Sequence, residues 1–431
     1  MLTASEAMAA AGSLRGEAEQ EWTRLAIFTR YARGQQRMPW LPENTDGEYH
    51  DIARKSASNW LSLVIAAVAQ GLIVDGYDSE LAWRDAWQAN QMDSRQHSLH
   101  RATLVHGYAF EIVLPSEDGG VWMRPEAATR MHATYSLPDD EWPQYAVRML
   151  RRNPDVLEVY DAEARYTIAG SDVTVFEHGL GVCPVVRVMN QLDLLGTPMG
   201  EVEPVIPIQN RIVDATFNLQ MVAKYGSFPQ RFIAGMDPAA NSERIRAYVD
   251  SILIAGDPDT KFGQFAPADL TQFVTALEAH IRHLAAITQT PPHYLLGHMS
   301  NMSAEALAAA ESGLQRKIRE RQETIGEGHE QALRLAAAIL GDEQAAASID
   351  SQVHWQDVES RSLAQTSDAL LKLGQLGVPA EMLFRMIPGW SQADVLEATD
   401  MLRSGSGLSA LMSALQLAAP DPTQMPMTPG A

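Results

Sequence analysis

Apolar positions along this chain recur with two different periods. Up to about residue 102 they keep the 3.6-residue spacing of helices. Trp22, Leu25, Ala26 and Thr29 share a stripe in a mainly helical stretch over residues 1–35. Pro39, Pro42 and Gly47 mark a polar loop over 36–50, and Trp60, Leu61, Val64, Ile65 and Val68 predict a second helix from about Asp51 to Gln70. Gly71 ends that helix. Leu72-Ile73-Val74 then reads as a short strand turning at Asp75-Gly76, and a third helix is predicted from Ser79 to about Ala102. From there to Asn190 the period drops to two, with strands at Tyr108–Leu114, Gln144–Met149, Val156–Tyr160 and Val173–Phe176. The pattern is that of an antiparallel sheet or small barrel inserted in a helical chain. Its turns carry Glu117-Asp118 and Asp139-Asp140-Glu141, which read as solvated tips. Trp22, Trp40, Trp60, Trp83 and Trp87 crowd into the first hundred residues, where their size suits them to anchoring a core.

Helical spacing then returns. Pro207 suits the first position of a helix whose stripe is Ile208, Ile212, Ala215, Leu219 and Val222, ended by Gly226 and Pro229. Residues 227–268 are rich in turn formers, with short strands at Phe232-Ile233 and Ile252–Ile254 and a short helix near Ser242–Asp250. Asp269 caps a second amphipathic helix striped by Leu270, Phe273, Val274, Leu277, Ile281, Leu284 and Ile287. Thr290-Pro291-Pro292 breaks it, a mostly uncharged passage follows, and Ser303 caps a proline-free helix reaching Leu340. The stripe of that long helix is Leu307, Leu314, Ile318, Ile325, Ala332, Leu335 and Ile339. Arg316–Glu323 reads as a solvated mixed-charge face, and Gly326 and Gly328 suggest a bend. Two or three short helices are expected over Val358–Arg403, and a disordered tail from about Ala418. The fold class is α+β, mainly α-helical, and no internal repeat is present.

Composition narrows the function. A chain of 431 residues has room for two or three domains. Its single cysteine, Cys183, excludes an internal disulfide framework and a multi-cysteine zinc cluster, and its apolar neighbours suggest a buried thiol. Residues Met1–Glu6 lack the charged start and apolar core of a signal peptide. The apolar run Trp60–Val74 is interrupted by Ser62, Gln70 and Gly71 and is too short to span a bilayer, so a soluble product that stays inside the producing cell is expected. A net charge of -21 argues against tight nucleic-acid binding, which relies on Lys and Arg to release phosphate counterions.

Candidate chemistry is sparse. The chain has no Gly-Lys-Ser/Thr, hence no P-loop, and no Gly-x-Ser-x-Gly elbow. His280 and His283 share a helix face, with His293 and His298 further along, but no third ligand has a fixed spacing to them.

The order of segments is more telling than any one of them. The chain resembles a tailed-bacteriophage portal protein, of the type common in phages of actinobacteria. The likeness runs through Asp75-Gly76-Tyr77, the helix Trp83–Met92, Pro207–Ala215, Phe228-Pro229-Gln230-Arg231, Thr290–Leu295, Ser303–Leu307 and the helix through Lys317 to Arg334. It reaches to about Gly405. The resemblance implies a portal-like subunit: wing (1–200), stem helix (201–226), clip (227–268), second stem helix (269–288), tunnel loop (289–302), a long wing helix (303–340), crown (341–403) and flexible tail (404–431). It also implies a homo-oligomeric ring of about twelve subunits at one capsid vertex. That ring would be assembled in the host cytoplasm and carried in the virion, with double-stranded DNA in its channel bound without sequence specificity. The implied partners are the terminase large subunit, the head–tail adaptor, and the major capsid and scaffolding proteins. No membrane partner, cofactor, metal or catalytic residue is implied.

Two residue sets follow from the same resemblance. Gly297, His298, Met299, Ser300, Asn301 and Met302 would face the DNA channel, and Arg231, Asp237, Asp257, Asp259 and Lys261 would meet partners at the clip. Residues 295–302 contain no Lys, Arg, Asp or Glu, as suits a part that touches sliding DNA without gripping it. The same methionines would equally suit packing between subunits. Two rival readings remain at this point, a non-catalytic helical scaffold or adaptor assembling through 303–340, and a metal-dependent hydrolase using His280 and His283.

Overall fold

The computed structural model describes residues 2–43, 45–138, 140–150, 155–194, 196–226, 231–234, 261–264, 269–297, 304–356, 363–387, 390 and 392–403. Its helices and strands divide between two compact units. One comprises residues 1–25, 67–200 and 315–431, the other 26–66 and 201–314.

The first element, α1 (Ala4–Ala32), is followed by α2 (Gly47–Lys55) and α3 (Trp60–Ala69). The single helix expected over 51–70 is thus two. Between them the Ser56 hydroxyl donates to the Ala53 carbonyl (2.7 Å), and the Asn59 side chain accepts from the Ser62 N–H (3.1 Å). Small polar side chains here compete with the backbone and start a new helix instead of extending the old one.

In the first unit, β1 (Val74–Tyr77) pairs antiparallel with β12 (Val353–Trp355), with a bulge between Val74 and Gly76. The strand therefore runs through Asp75-Gly76, where a turn was expected. A Cβ on Gly76 would collide with Gln392 Oε1, and the Gln392 amide bonds both the N–H and the carbonyl of Tyr77. Next come α4 (Glu80–Ala82), a π-helical stretch Trp83–Gln88, and α5 (Met92–His106). The helix expected over 79–102 is broken at Gln91, which takes a left-handed conformation (φ 56°). Tertiary bonds account for the break: the Asn90 amide donates to Ala86 and Val121 carbonyls and accepts from Met123 N–H, pulling the chain toward the strand that begins at Val121.

Eight strands follow: β2 (Tyr108–Pro115), β3 (Val121–Ala127), β4 (Met131–Thr134), β5 (Tyr145–Met149), β6 (Val156–Tyr160), β7 (Ala164–Ala169), β8 (Asp172–Glu177) and β9 (Val185–Met189). They form a three-stranded sheet in the order β3-β2-β9 and a five-stranded sheet in the order β4-β5-β6-β7-β8, all antiparallel. Half of them, β3, β4, β7 and β9, escaped the period-two reading; Pro125 and Arg187 break the pattern in β3 and β9, whereas β4 and β7 do alternate and were overlooked. On α1, Ala7, Ala11, Leu14 and Ala18 lie at helical spacing and pack against Val147, Leu157, Val159, Tyr166 and Ile168 of the larger sheet. Cys183 is buried, as its surroundings suggested.

In the second unit, α6 (Ile206–Gly226) packs against α7 (Leu270–Thr288), with β10 (Arg231–Ala234) pairing β11 (Lys261–Gln264) between them in the chain. A short α8 (Pro292–Leu296) precedes α9 (Ala304–Ile339), which continues into the first unit. The run remains helical across Gly326 and Gly328. A Cβ on Gly328 would lie 3.0 Å from Val188 Cγ2 and 3.1 Å from Val188 Cα, so this glycine lets α9 approach β9 closely.

The charged face expected over Arg316–Glu323 is not wholly solvated, since Lys317 and Arg321 are buried. Arg321 lies 3.0 Å from Glu320, and its long stem can be covered while the head stays paired. Trp87 is buried and Trp22, Trp60 and Trp83 are partly so, but Trp40 is 74 % exposed and anchors no core. The chain continues through α10 (Glu343–Ala347) to α11 (Leu363–Gln375), α12 (Ala380–Arg385) and α13 (Gln392–Arg403). The expected Ser303 cap, the Ile252–Ile254 strand, the Ser242–Asp250 helix and the tail lie outside the described residues.

Candidate functional site

The residues expected to form stem, clip and tunnel belong to the second unit. A 3-10 turn, Glu203–Val205, leads into α6, so Pro207 is the second helical residue, where its missing N–H costs nothing. Two contacts fix the start of α6: Tyr31 donates its hydroxyl to Asn210 Oδ1 (2.9 Å), and the buried Gln209 amide donates to the Ser58 carbonyl (2.6 Å). At its other end Lys224 pairs with Glu48 and holds that carboxyl below the usual range, while Tyr225 stacks on Tyr49 with ring centroids 5.6 Å apart. The helix is therefore held at its start by α1 and the α2–α3 link, and at its other end by α2.

In the ribbon, Arg231 faces Gln264 and Lys261 faces Ala234. The two basic positions stand at opposite ends of a four-residue ladder, about 10 Å apart along the strand. Lys261 is exposed. Asp237, Asp257 and Asp259 lie outside the described residues.

Asp269 caps α7 as expected, its Oδ1 accepting from Thr271 N–H at 2.9 Å. The helix ends on Gln289 in the left-handed region, with Thr290 N–H bonded back to Ala285 O (3.0 Å). The buried Thr288 and Thr290 hydroxyls meet at 2.9 Å. Where an open loop was expected from 289, Pro291 and Pro292 instead start α8, whose preset φ suits a first turn. Gly297 closes α8 at φ 69°, with open space where a Cβ would stand, so the left-handed cap alone asks for glycine. His298, Met299, Ser300, Asn301 and Met302 lie outside the described residues.

Glu311, on α9, ties the two sides of that segment together. Tyr294 OH donates to its Oε1 (3.3 Å), and His293 Nε2 lies 3.9 Å from the same atom. Burial first, and then the Glu311 charge, raise the Tyr294 phenol pKa. Sequence reasoning missed this tether, although Glu311 is an isolated acid in the uncharged run between Glu305 and Arg316.

Electrostatically, α6 and α7 form a nearly neutral pair, as α2, α5 and α9 are each nearly neutral. Together α6 and α7 carry three bases (Arg211, Lys224, Arg282) and two acids (Asp214, Glu278), within a chain of net charge -21. His280 and His283 have ring centroids 6.5 Å apart. Among the described residues, no group of three or more His, Cys, Asp and Glu is placed to hold a metal ion. The arrangement offers holding contacts and a nearly neutral helical pair.

A second polar cluster missed from the sequence lies in the first unit, where His100, His329 and Glu111 are fully buried. His100 Nε2 is 2.8 Å from His329 Nε2, and His329 Nδ1 is 3.0 Å from Glu111 Oε1. The signals were present: His329 lies on the α9 stripe between Ile325 and Ala332, and Glu111 interrupts the apolar run Tyr108–Leu114.

The family model described as phage portal protein, SPP1 Gp6-like, matches residues 70–404. The chain belongs to that family. The portal resemblance carried by the ordered segments is thus correct, and this is a portal chain. The portal protein of Mycobacterium phage L5 is 30% identical to it over 373 residues, covering 74% of this chain and 73% of that protein. The portal protein of Mycobacterium phage D29 matches to the same extent. Among solved structures, a chain of the virion of a native gene transfer agent particle aligns with a TM-score of 0.45 and 14% identity, over 80% of this portal chain and 92% of its own length. A chain from the neck of the native particle, computed with C12 symmetry, aligns equally well over 83% and 96%. Among the described residues, no helix of this portal chain is long and apolar enough to cross a membrane.

Proposed function

We propose that this portal chain assembles into a ring of about twelve copies at one vertex of the phage capsid. The ring serves as the conduit for packaging, retaining and releasing double-stranded DNA and has no catalysis of its own. The observation that carries this reading is the match of residues 70–404 to the portal family, and the nearly neutral α6–α7 pair suits it. A wall past which a polyanion slides should be neither strongly attractive nor strongly repulsive, and few phosphate-binding cations on it keep salt-dependent affinity low. In this reading residues 201–226 and 269–288 form the stem. The segment Gly297–Met302, tethered through Tyr294 and Glu311, reaches the channel.

The β10–β11 ribbon, with Arg231 and Lys261 at its two ends, presents residues 227–268 as the clip, including Asp237, Asp257 and Asp259. There it docks the terminase large subunit during packaging and the head–tail adaptor afterwards. Residues 1–200 with the long helix form the wing that meets the major capsid and scaffolding proteins, and 341–403 form the crown. Removal of Gly297 to Met302 tests the tunnel assignment. Rings should still assemble while packaged DNA is lost or retained poorly, whereas failure to form rings would make the segment a structural one.

A further inference from the structure

In a chain with 54 acids and 33 bases, the stretch from Trp22 to Pro42 holds four arginines and no acid. Three of them, Arg30, Arg33 and Arg37, lie in the second unit, are exposed, and make no ion pair with another described residue. The backbone beneath them is tightly fixed. Gly34 takes a positive φ of 72°, which turns the chain so that Gln35 N–H bonds back to the Arg30 carbonyl (2.8 Å). The Asn59 amide donates to Ala32 O and the Gln36 amide to Ser58 O, both at 2.9 Å. On this rigid turn Met38 and Trp40 are 47 % and 74 % exposed, while Pro39 between them is buried. With Arg37 they line an open cleft of about 430 Å³, whose other wall is the Asn210, Asp214, Phe217 and Asn218 face of α6.

Exposed Met38 and Trp40 on a fixed turn add little to folding and offer apolar area to a partner. Trp, Met and Arg are the residue types enriched at the buried centre of protein interfaces. We propose that the Arg30–Trp40 turn is the surface by which each portal copy grips the next copy in the ring, the arginines meeting its acidic surface and Trp40 supplying the buried anchor. This rests on the ring reading above. Charge decides the occupant: another copy carries -21 and is complementary to this turn. Asp214 inside the cleft disfavours a phosphate backbone there, which sets nucleic acid aside as the occupant.

The test uses the full chain. In rings of the otherwise unaltered chain, p-benzoylphenylalanine in place of Trp40 should give covalent dimers and higher multimers on irradiation. Trp40→Ala should raise the concentration needed for ring assembly at least tenfold. The triple variant Arg30→Glu, Arg33→Glu, Arg37→Glu should abolish rings while leaving the circular dichroism and melting profile of the monomer unchanged. The proposal is overturned if wild-type rings form, no self-cross-link appears from position 40, and both variants assemble like wild type. It is equally overturned if the triple variant loses DNA retention in a gel shift with rings intact, which would assign the turn to nucleic acid. Failure of the wild-type chain to form rings under any condition would instead remove the ring reading itself.

Discussion

His100 Nε2 and His329 Nε2 lie 2.8 Å apart in the core, and their protons are set by what flanks them. His100 Nδ1 is 2.9 Å from the Leu72 carbonyl, which can only accept, so Nδ1 carries the hydrogen. With His100 neutral, its Nε2 accepts from His329 Nε2–H, and His329 Nδ1 lies 3.0 Å from Glu111 Oε1. Trp87 meets the His329 ring edge-on, and Trp355 tilts against both imidazoles. These contacts bring α5, α9 and β2 together around one buried polar cluster.

Burial, reinforced by the neighbouring His329, pushes His100 well below the usual imidazole range. Below about pH 6.5 the unfolded chain therefore binds a proton that the folded chain refuses, and this contribution lowers stability by about 1.4 kcal/mol per pH unit as pH falls. Melting temperatures recorded between pH 7.5 and 5 should drop across this window. His100→Gln should melt lower at pH 7.5 and show a shallower drop. Parallel curves for both proteins would exclude His100 as the titrating group.

Asp75 should act with the opposite sign. Its burial raises the carboxyl to about 6, so the folded state prefers the neutral acid, and stability is lost as pH rises through that value. Asp75→Asn should stabilise the chain above pH 6, by about 1 kcal/mol once its partial exposure is allowed for, and lose the advantage below pH 4. Paired thermal melts at pH 8 and pH 4 measure this. A variant that melts lower at pH 8 would contradict the assignment.

The two glycines of α9 should part company. Gly328→Ala places a methyl 3.1 Å from Val188 Cα, which cannot step aside without moving β9, and should cost about 1–3 kcal/mol. At Gly326 the nearest atoms are 3.4 and 3.5 Å away on the Val353 and Trp355 side chains. Gly326→Ala should be neutral to stabilising by up to about 1 kcal/mol, because the methyl finds ordinary van der Waals contacts and alanine has the better helix propensity. Urea unfolding of the two variants decides it, and equal losses would contradict the close-packing account of Gly328.

These cases mark what was legible in the sequence. The helices α1, α6, α7 and α9, the stripes of α6 and α9, the Asp269 cap and the strands β2, β5, β6 and β8 follow from local period and capping, so they could be read directly, whereas Ala26 of the α1 stripe and Leu270, Val274 and Ile287 of the α7 stripe are exposed. Tertiary pairing hid much of the rest. Asn90 breaks a helix because its partners are on β3, and Lys317 and Arg321 are buried only because other elements cover α9. Trp40 reads as core by type and is exposed by placement. Of the candidate site, Gly297, Arg231 and Lys261 fall on elements whose backbone is described, and the Glu311 tether depends on a contact across seventeen residues that no local pattern encodes.

Tyr294→Phe removes the hydroxyl that reaches Glu311 but leaves the ring against His293, with which it packs edge-on at 4.7 Å. Global stability should fall by less than about 1 kcal/mol, as for one exposed hydrogen bond. Proteolysis or amide exchange over residues 297–303 should quicken if the tether restrains that segment. Unchanged exchange there would show that Glu311 does not hold it.

Electron micrographs of the purified full-length chain test the central claim most directly, through class averages viewed down the particle axis. The account expects closed rings of about twelve copies around an open central channel. Compact monomers or open rods under every assembly condition would contradict it.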